Sequence, residues 1–99
     1  MIENPLIKQQ VEKGMQDAIK DIDHISSVFL DPSYDMNTVI EYEADFILGA
    51  VLCQVVNNTN RNLIGIQIEP TQEEFNQINQ FVFSQSATLK ENIKKIVGV

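Results

Sequence analysis

An α+β domain is what this sequence predicts, on three observations. The stretch from Phe46 to Pro70, FILGAVLCQVVNNTNRNLIGIQIEP, holds two runs rich in β-branched residues on either side of an asparagine-rich centre, the pattern of a β-hairpin. A helical seam of apolar residues precedes it and another follows it. No linker, repeat or low-complexity tract divides the 99 residues, so residues 1–99 read as a single domain with both helices packed on one face of the sheet.

The first helix starts at Asn4-Pro5, an N-cap residue followed by proline at the first helical position. Apolar residues then recur at Ile7, Val11, Met15, Ala18, Ile22, Ile25 and Phe29, in steps of three and four. Gly14 inside this run costs up to ~1 kcal/mol relative to alanine. The helix is expected to end before Asp31-Pro32, because proline disfavours helical backbone in the residue before it. His24 is the only histidine and lies off the seam, with no paired base or phosphoacceptor pattern beside it.

Asp31 to Asn37 reads as a loop. Its alternating oxygen-bearing side chains faintly suggest a calcium loop, but Met36 stands where the turn needs glycine and Tyr42 where the ion needs a bidentate glutamate. From Thr38 to Phe46 the even positions Ile40, Tyr42, Ala44 and Phe46 are apolar, and the odd ones carry Glu41, Glu43 and Asp45. An extended first strand fits this alternation. From Ile47 onward the odd positions become the apolar set, so the strand needs a bulge, for which Gly49 is the best-suited residue. The competing reading is a helix from Thr38, where Thr38 and Glu41 have capping-box spacing, with apolar residues nearly all round it.

For the hairpin, Asn57 to Asn62 supplies the turn. With Val56 opposite Leu63, the pairs Val55/Ile64, Cys53/Ile66 and Val51/Ile68 place only apolar residues on one face. Cys53 is thereby expected to be buried, a small hydrophobe rather than a nucleophile. Pro70 closes the strand, and Thr71 with Glu74 forms a capping box for a last helix. Its seam runs Phe75, Ile78, Val82, Leu89, Ile93 and Ile96, with Gln85 in the missing position and Phe81 and Phe83 off it.

Composition narrows function more by exclusion than by indication. One cysteine allows no internal disulfide and no cysteine-based zinc site, and no catalytic, cofactor or metal motif is present. The chain begins without a basic stretch or an apolar core segment of a secretory signal, and no apolar run reaches membrane-spanning length, so a cytoplasmic protein is expected. Net charge is −7, and it is uneven: Asp21 to Glu74 holds ten acidic residues against Arg61 alone, or −9. Such a field disfavours nucleic acid and suits a basic protein partner.

The expected function is that of a small acidic homo-oligomeric interaction or regulatory protein, not an enzyme, which binds a partner's surface. Glu41, Glu43 and Asp45 on one strand face, and Phe81 and Phe83 off the last seam, are the residues offered for that contact, although carboxylates on a strand face more often keep an edge soluble. A ligand pocket between helix and hairpin, or at a subunit interface, is the alternative. An enzyme using Cys53, His24 or the three carboxylates is the remaining one. A two-fold dimer is expected because two helices of about 25 residues, each about 38 Å long, overhang a body with a radius of gyration near ~13 Å. The backbone of Thr38–Phe46 would also lack an in-chain strand partner.

Overall fold

The computed structural model describes residues 1–29 and 42–97. Among these residues it contains five helices and no strand: α1 (Pro5–Lys20), α2 (Ile22–Phe29), α3 (Glu43–Gly65), α4 (Gln72–Ser84) and α5 (Ser86–Val97). The α+β expectation is therefore corrected to an all-helical fold. The Asp31–Asn37 loop, and the part of the proposed first strand that contains Glu41, lie outside the described residues.

Asn4 caps α1 as its residue type suggests. Its side-chain oxygen accepts from the backbone N–H groups of Leu6 (2.9 Å) and Ile7 (3.4 Å), and Pro5 occupies the first turn. The expected long helix is divided at Asp21, whose N–H reaches the carbonyls of Asp17 and Ala18 while its own carbonyl accepts from Ile25. The apolar seam survives the division: Ile7, Val11, Ala18, Ile22 and Ile25 are all buried. The break at one exposed residue interrupts the helix without losing the face.

The Phe46–Pro70 stretch is the main correction. Instead of two strands it forms the 23-residue helix α3, which buries Ile47, Val51, Val55, Thr59 and Leu63. These residues are four apart, so they line one stripe of a helix. Of the six residues expected to share a buried hairpin face, Val51 and Val55 are buried, but Cys53 is exposed and Ile64 and Ile66 are 76% and 43% exposed. Ile68 is partly buried. Gly49 is no bulge: it is a helical residue with open space where a Cβ would stand. The asparagine run is no turn either, and its members hold α3 to α1. Asn58 donates through Nδ2 to the Gly14 carbonyl (3.1 Å), and Asn62 does the same to Gln10 (3.3 Å).

As α3 advances by four residues its partner in α1 recedes by four, so the two helices are antiparallel. Near Gly14 they nearly touch, since a Cβ there would lie 3.1 Å from the Thr59 backbone nitrogen. Thr59 is fully buried, and its hydroxyl is satisfied by the Val55 carbonyl one turn back (2.8 Å).

Helix α3 ends by a left-handed cap. Gln67 has φ 58°, its N–H donates to Ile64, and the Ile68 N–H donates to Leu63. This is the Schellman pattern, and partly buried Ile68 covers the last turn. Pro70 then leads into α4, where the expected capping box is complete: Glu74 N–H to Thr71 Oγ1 (3.2 Å) and Thr71 N–H to Glu74 Oε1 (2.9 Å). The last helix is also divided, at Gln85, the polar residue on its seam. Ser84 and Ser86 beside it turn their hydroxyls back onto the carbonyls of Phe81 and Phe83, a local alternative that weakens a helix.

Three rods result: α1 with α2, α3, and α4 with α5. The outer two run antiparallel to α3 and parallel to each other. Ile78, Val82, Leu89 and Ile93 complete the core between them, and Ile2 tucks in at one end. The body measures 42 × 23 × 20 Å with a radius of gyration of 14.7 Å. At 1.5 Å per residue α3 alone spans about 35 Å, so it runs beside the other two rods and leaves them no overhang to be covered. Among the described residues no strand is left for another copy to pair with, and no hairpin is left to wall the ligand pocket envisaged beside it.

Candidate functional site

The helical geometry separates the residues that a strand would have grouped. Successive helical residues turn by about 100°, so Glu43 and Asp45 point roughly 200° apart rather than sharing a face. Both sit in the first turn of α3, where carboxylates suit the positive end of the helix dipole. Asp45 accepts an ion pair from Lys90 Nζ at 2.6 Å, which ties α5 to the start of α3. Glu41 lies outside the described residues. The same 200° separates Phe81 from Phe83. Phe81 packs against the core, and Phe83 is 64% exposed.

Cys53 and His24 are both exposed and stand on different helices, α3 and α2. Two grooves include Cys53, and neither His24, Glu43 nor Asp45 lines either of them. Among the described residues, no three His, Cys, Asp or Glu side chains gather closely enough to hold a metal ion. The residues proposed for an enzymatic reading therefore do not converge.

What the fold assembles instead is a surface that sequence reading missed. From Phe46 to Asn60 the chain carries no charged residue. Wound into a helix, this run buries Ile47, Val51, Val55 and Thr59 on one side, which leaves Gly49, Cys53 and Asn57 on the other. The outer face of α3 is thus uncharged over about 22 Å, given 1.5 Å per residue. On α1, by contrast, the outer face carries Lys8, Glu12, Lys13, Asp17 and Lys20. Alongside the α3 strip lies a groove of about 460 Å³, walled by Leu52, Cys53 and Val56 from α3 and by Val82 and Phe83 from α4. No charged side chain lines it. The available signal was the length of the uncharged run, which is too long for one strand but suits a helix packed on one side only.

The class these features define is a small three-rod helical bundle with one uncharged outer face. Comparison with protein-family models, curated proteins and solved structures returned no match to this chain. No helix among the described residues is long and apolar enough to cross a membrane.

Proposed function

We propose that the chain is a small acidic interaction protein that self-associates into a two-fold dimer and acts by occupying a partner's surface, without chemistry of its own. The observation that supports this reading is the uncharged outer face of α3 with the exposed Phe83 beside it. A large exposed aromatic next to a groove without charges is suited to burial by another protein. Two copies that each carry −7 repel one another, and they meet at least cost where the facing surfaces bear no carboxylate. The α3 strip and the groove on its α4 side meet that condition, whereas the groove on its α1 side holds Asp17, Asp21 and Arg61. Two-fold pairing is the simplest way for one patch to cover itself.

Light scattering across micromolar to millimolar protein tests the proposal. The expected mass rises with concentration from 11.2 kDa toward twice that value. Phe83→Glu is expected to remain at 11.2 kDa with an unchanged helical circular dichroism spectrum, since Phe83 is mostly exposed. Cys53 adds a second readout: a thiol reagent should react faster with the Phe83→Glu chain than with the concentrated parent. A parent chain that stays monomeric at millimolar concentration refutes the dimer.

A further inference from the structure

The end of the bundle where α1 begins, α3 finishes and α4 begins combines exposed apolar side chains with carboxylates. A groove of about 600 Å³ there is floored by Leu63, Ile64, Ile68 and Phe75 and closed by the Gln67–Pro70 turn. Ile64 is 76% exposed, and Ile66 in the same turn and Phe75 on α4 are also substantially exposed. Glu69 stands in the wall of this groove. Past the first turn of α4 lies a second hollow, of about 440 Å³, which holds Glu3, Glu73 and Glu74. The two linings share no residue but adjoin along the chain, at Pro70 and Thr71 and at Glu74 and Phe75. Neither is lined by a lysine or an arginine. Of the amides at the start of α4, those of Thr71 and Glu74 are already engaged within the capping box, the Glu74 N–H donating to Thr71 Oγ1 and the Thr71 N–H to the Glu74 carboxylate.

We infer that this end of the bundle is a docking surface for a basic amphipathic helix of a partner protein, whose apolar side chains enter the Leu63–Ile64–Ile68–Phe75 groove while its lysines or arginines face Glu69, Glu73 and Glu3. The groove's apolar floor calls for a row of apolar anchors at helical spacing, the usual way a helix fills a groove. The carboxylates determine the sign of the flanking charges. They also repel the other candidates for this surface. A second copy would bring its own −7, and nucleic acid and anionic lipid carry the same sign as the carboxylates. The inference rests on the reading of the chain as an interaction protein, but it uses a surface separate from the proposed dimer face.

Fluorescence anisotropy with a labelled synthetic helix of Leu and Lys, about 18 residues or five turns long with Leu at helical spacing, tests it. The expected result is saturable binding that weakens as salt is raised, because such charge pairs are screened beyond about 8 Å at physiological ionic strength. A Leu/Glu helix of the same pattern should not bind. A scrambled Leu/Lys peptide without helical spacing should bind at least about tenfold more weakly, as the loss of apolar anchors predicts. Ile64→Ser, at a largely exposed position that leaves the core intact, and the double variant Glu69→Gln with Glu73→Gln should each weaken binding by a similar factor. The Phe83→Glu chain should bind the peptide as the parent does, whatever its mass by light scattering, which separates this inference from the dimer. It is overturned if the parent fails to bind, if the scrambled or acidic peptide binds equally well, or if either the Ile64 or the glutamate variants bind unchanged. Loss of peptide binding in Phe83→Glu, or loss of dimer mass in Ile64→Ser, overturns it as well, since the end surface would then belong to the dimer face.

Discussion

Replacing Gly14 by alanine sets two measurable effects against each other at the closest approach of α1 and α3. In an isolated helix the change is favourable by about 1 kcal/mol, because alanine loses less backbone freedom than glycine. In this bundle the new Cβ would stand 3.0 Å from Thr59 Oγ1, 3.1 Å from the Thr59 nitrogen and 3.2 Å from Asn58 Cβ, where ordinary contact begins at 3.4 Å. The nitrogen belongs to the α3 backbone and cannot turn away, and the hydroxyl is engaged by the Val55 carbonyl at 2.8 Å. The two helices must therefore separate by a few tenths of an ångström, which stretches the Asn58 and Asn62 bonds to α1. Overpacking of this kind costs about 1–3 kcal/mol, so with weakened hydrogen bonds added and the helix gain removed the net loss is about 1–2 kcal/mol. With a urea dependence of about 1–3 kcal/mol per molar, the unfolding midpoint should fall by roughly 0.5–1 M at unchanged slope. Thr59→Ala in the same chain removes the hydroxyl contact but not the backbone one, so it should couple with Gly14→Ala and relieve only part of the strain. A Gly14→Ala chain as stable as the parent, or more stable, would refute the close packing of α1 on α3.

Gly49→Ala should behave oppositely and stabilise by about 0.5–1 kcal/mol, since Gly49 is a helical residue with open space around it; a loss of stability would return it to a bulge. Gln67→Gly should raise the thermal midpoint by the equivalent of about 1 kcal/mol, because glutamine holds a left-handed φ of 58° that glycine adopts without strain, and no change would deny the cap. Thr71→Ala should cost about 0.5–2 kcal/mol in urea unfolding, and an unaffected midpoint would mean that the capping box contributes nothing. The Thr71 N–H, foremost, with the side chains of Asn4 and Thr71, holds the Glu74 carboxyl below its ordinary value of 4.5. A depressed folded-state value means that its contribution is present above about pH 4.5 and is lost as pH falls through the lower folded value. Stability measured against pH should therefore decline on that acid side, and the decline should shrink in Glu74→Gln.

What the sequence determined unaided is what depends on neighbours along the chain. Asn4-Pro5 and the Thr71–Glu74 box are local hydrogen-bonding arrangements, and each formed as its residues require. The outer seams were legible because their steps mix three and four, which only a helix turns into one face. The breaks at Asp21 and Gln85 were not legible, since each falls on a single exposed or half-exposed residue and leaves the seam in place. The central segment was misread for a specific reason. Ile47, Val51, Val55, Thr59 and Leu63 are all four apart, and four is an even number, so the same residues satisfy both a strand of period two and a helix of period 3.6. The change of phase at Ile47, taken for a bulge, was the helical period itself: Ala44, Ile47, Leu48, Val51, Leu52, Val55 and Val56 stand at i, i+3, i+4, i+7, i+8, i+11 and i+12. Isoleucine and valine favour a strand by only fractions of a kcal/mol per residue, on the order of what tertiary context overrides. Packing decided it: as a helix the segment places five side chains in the core and its asparagines against the α1 carbonyls, contacts made with residues more than forty positions away.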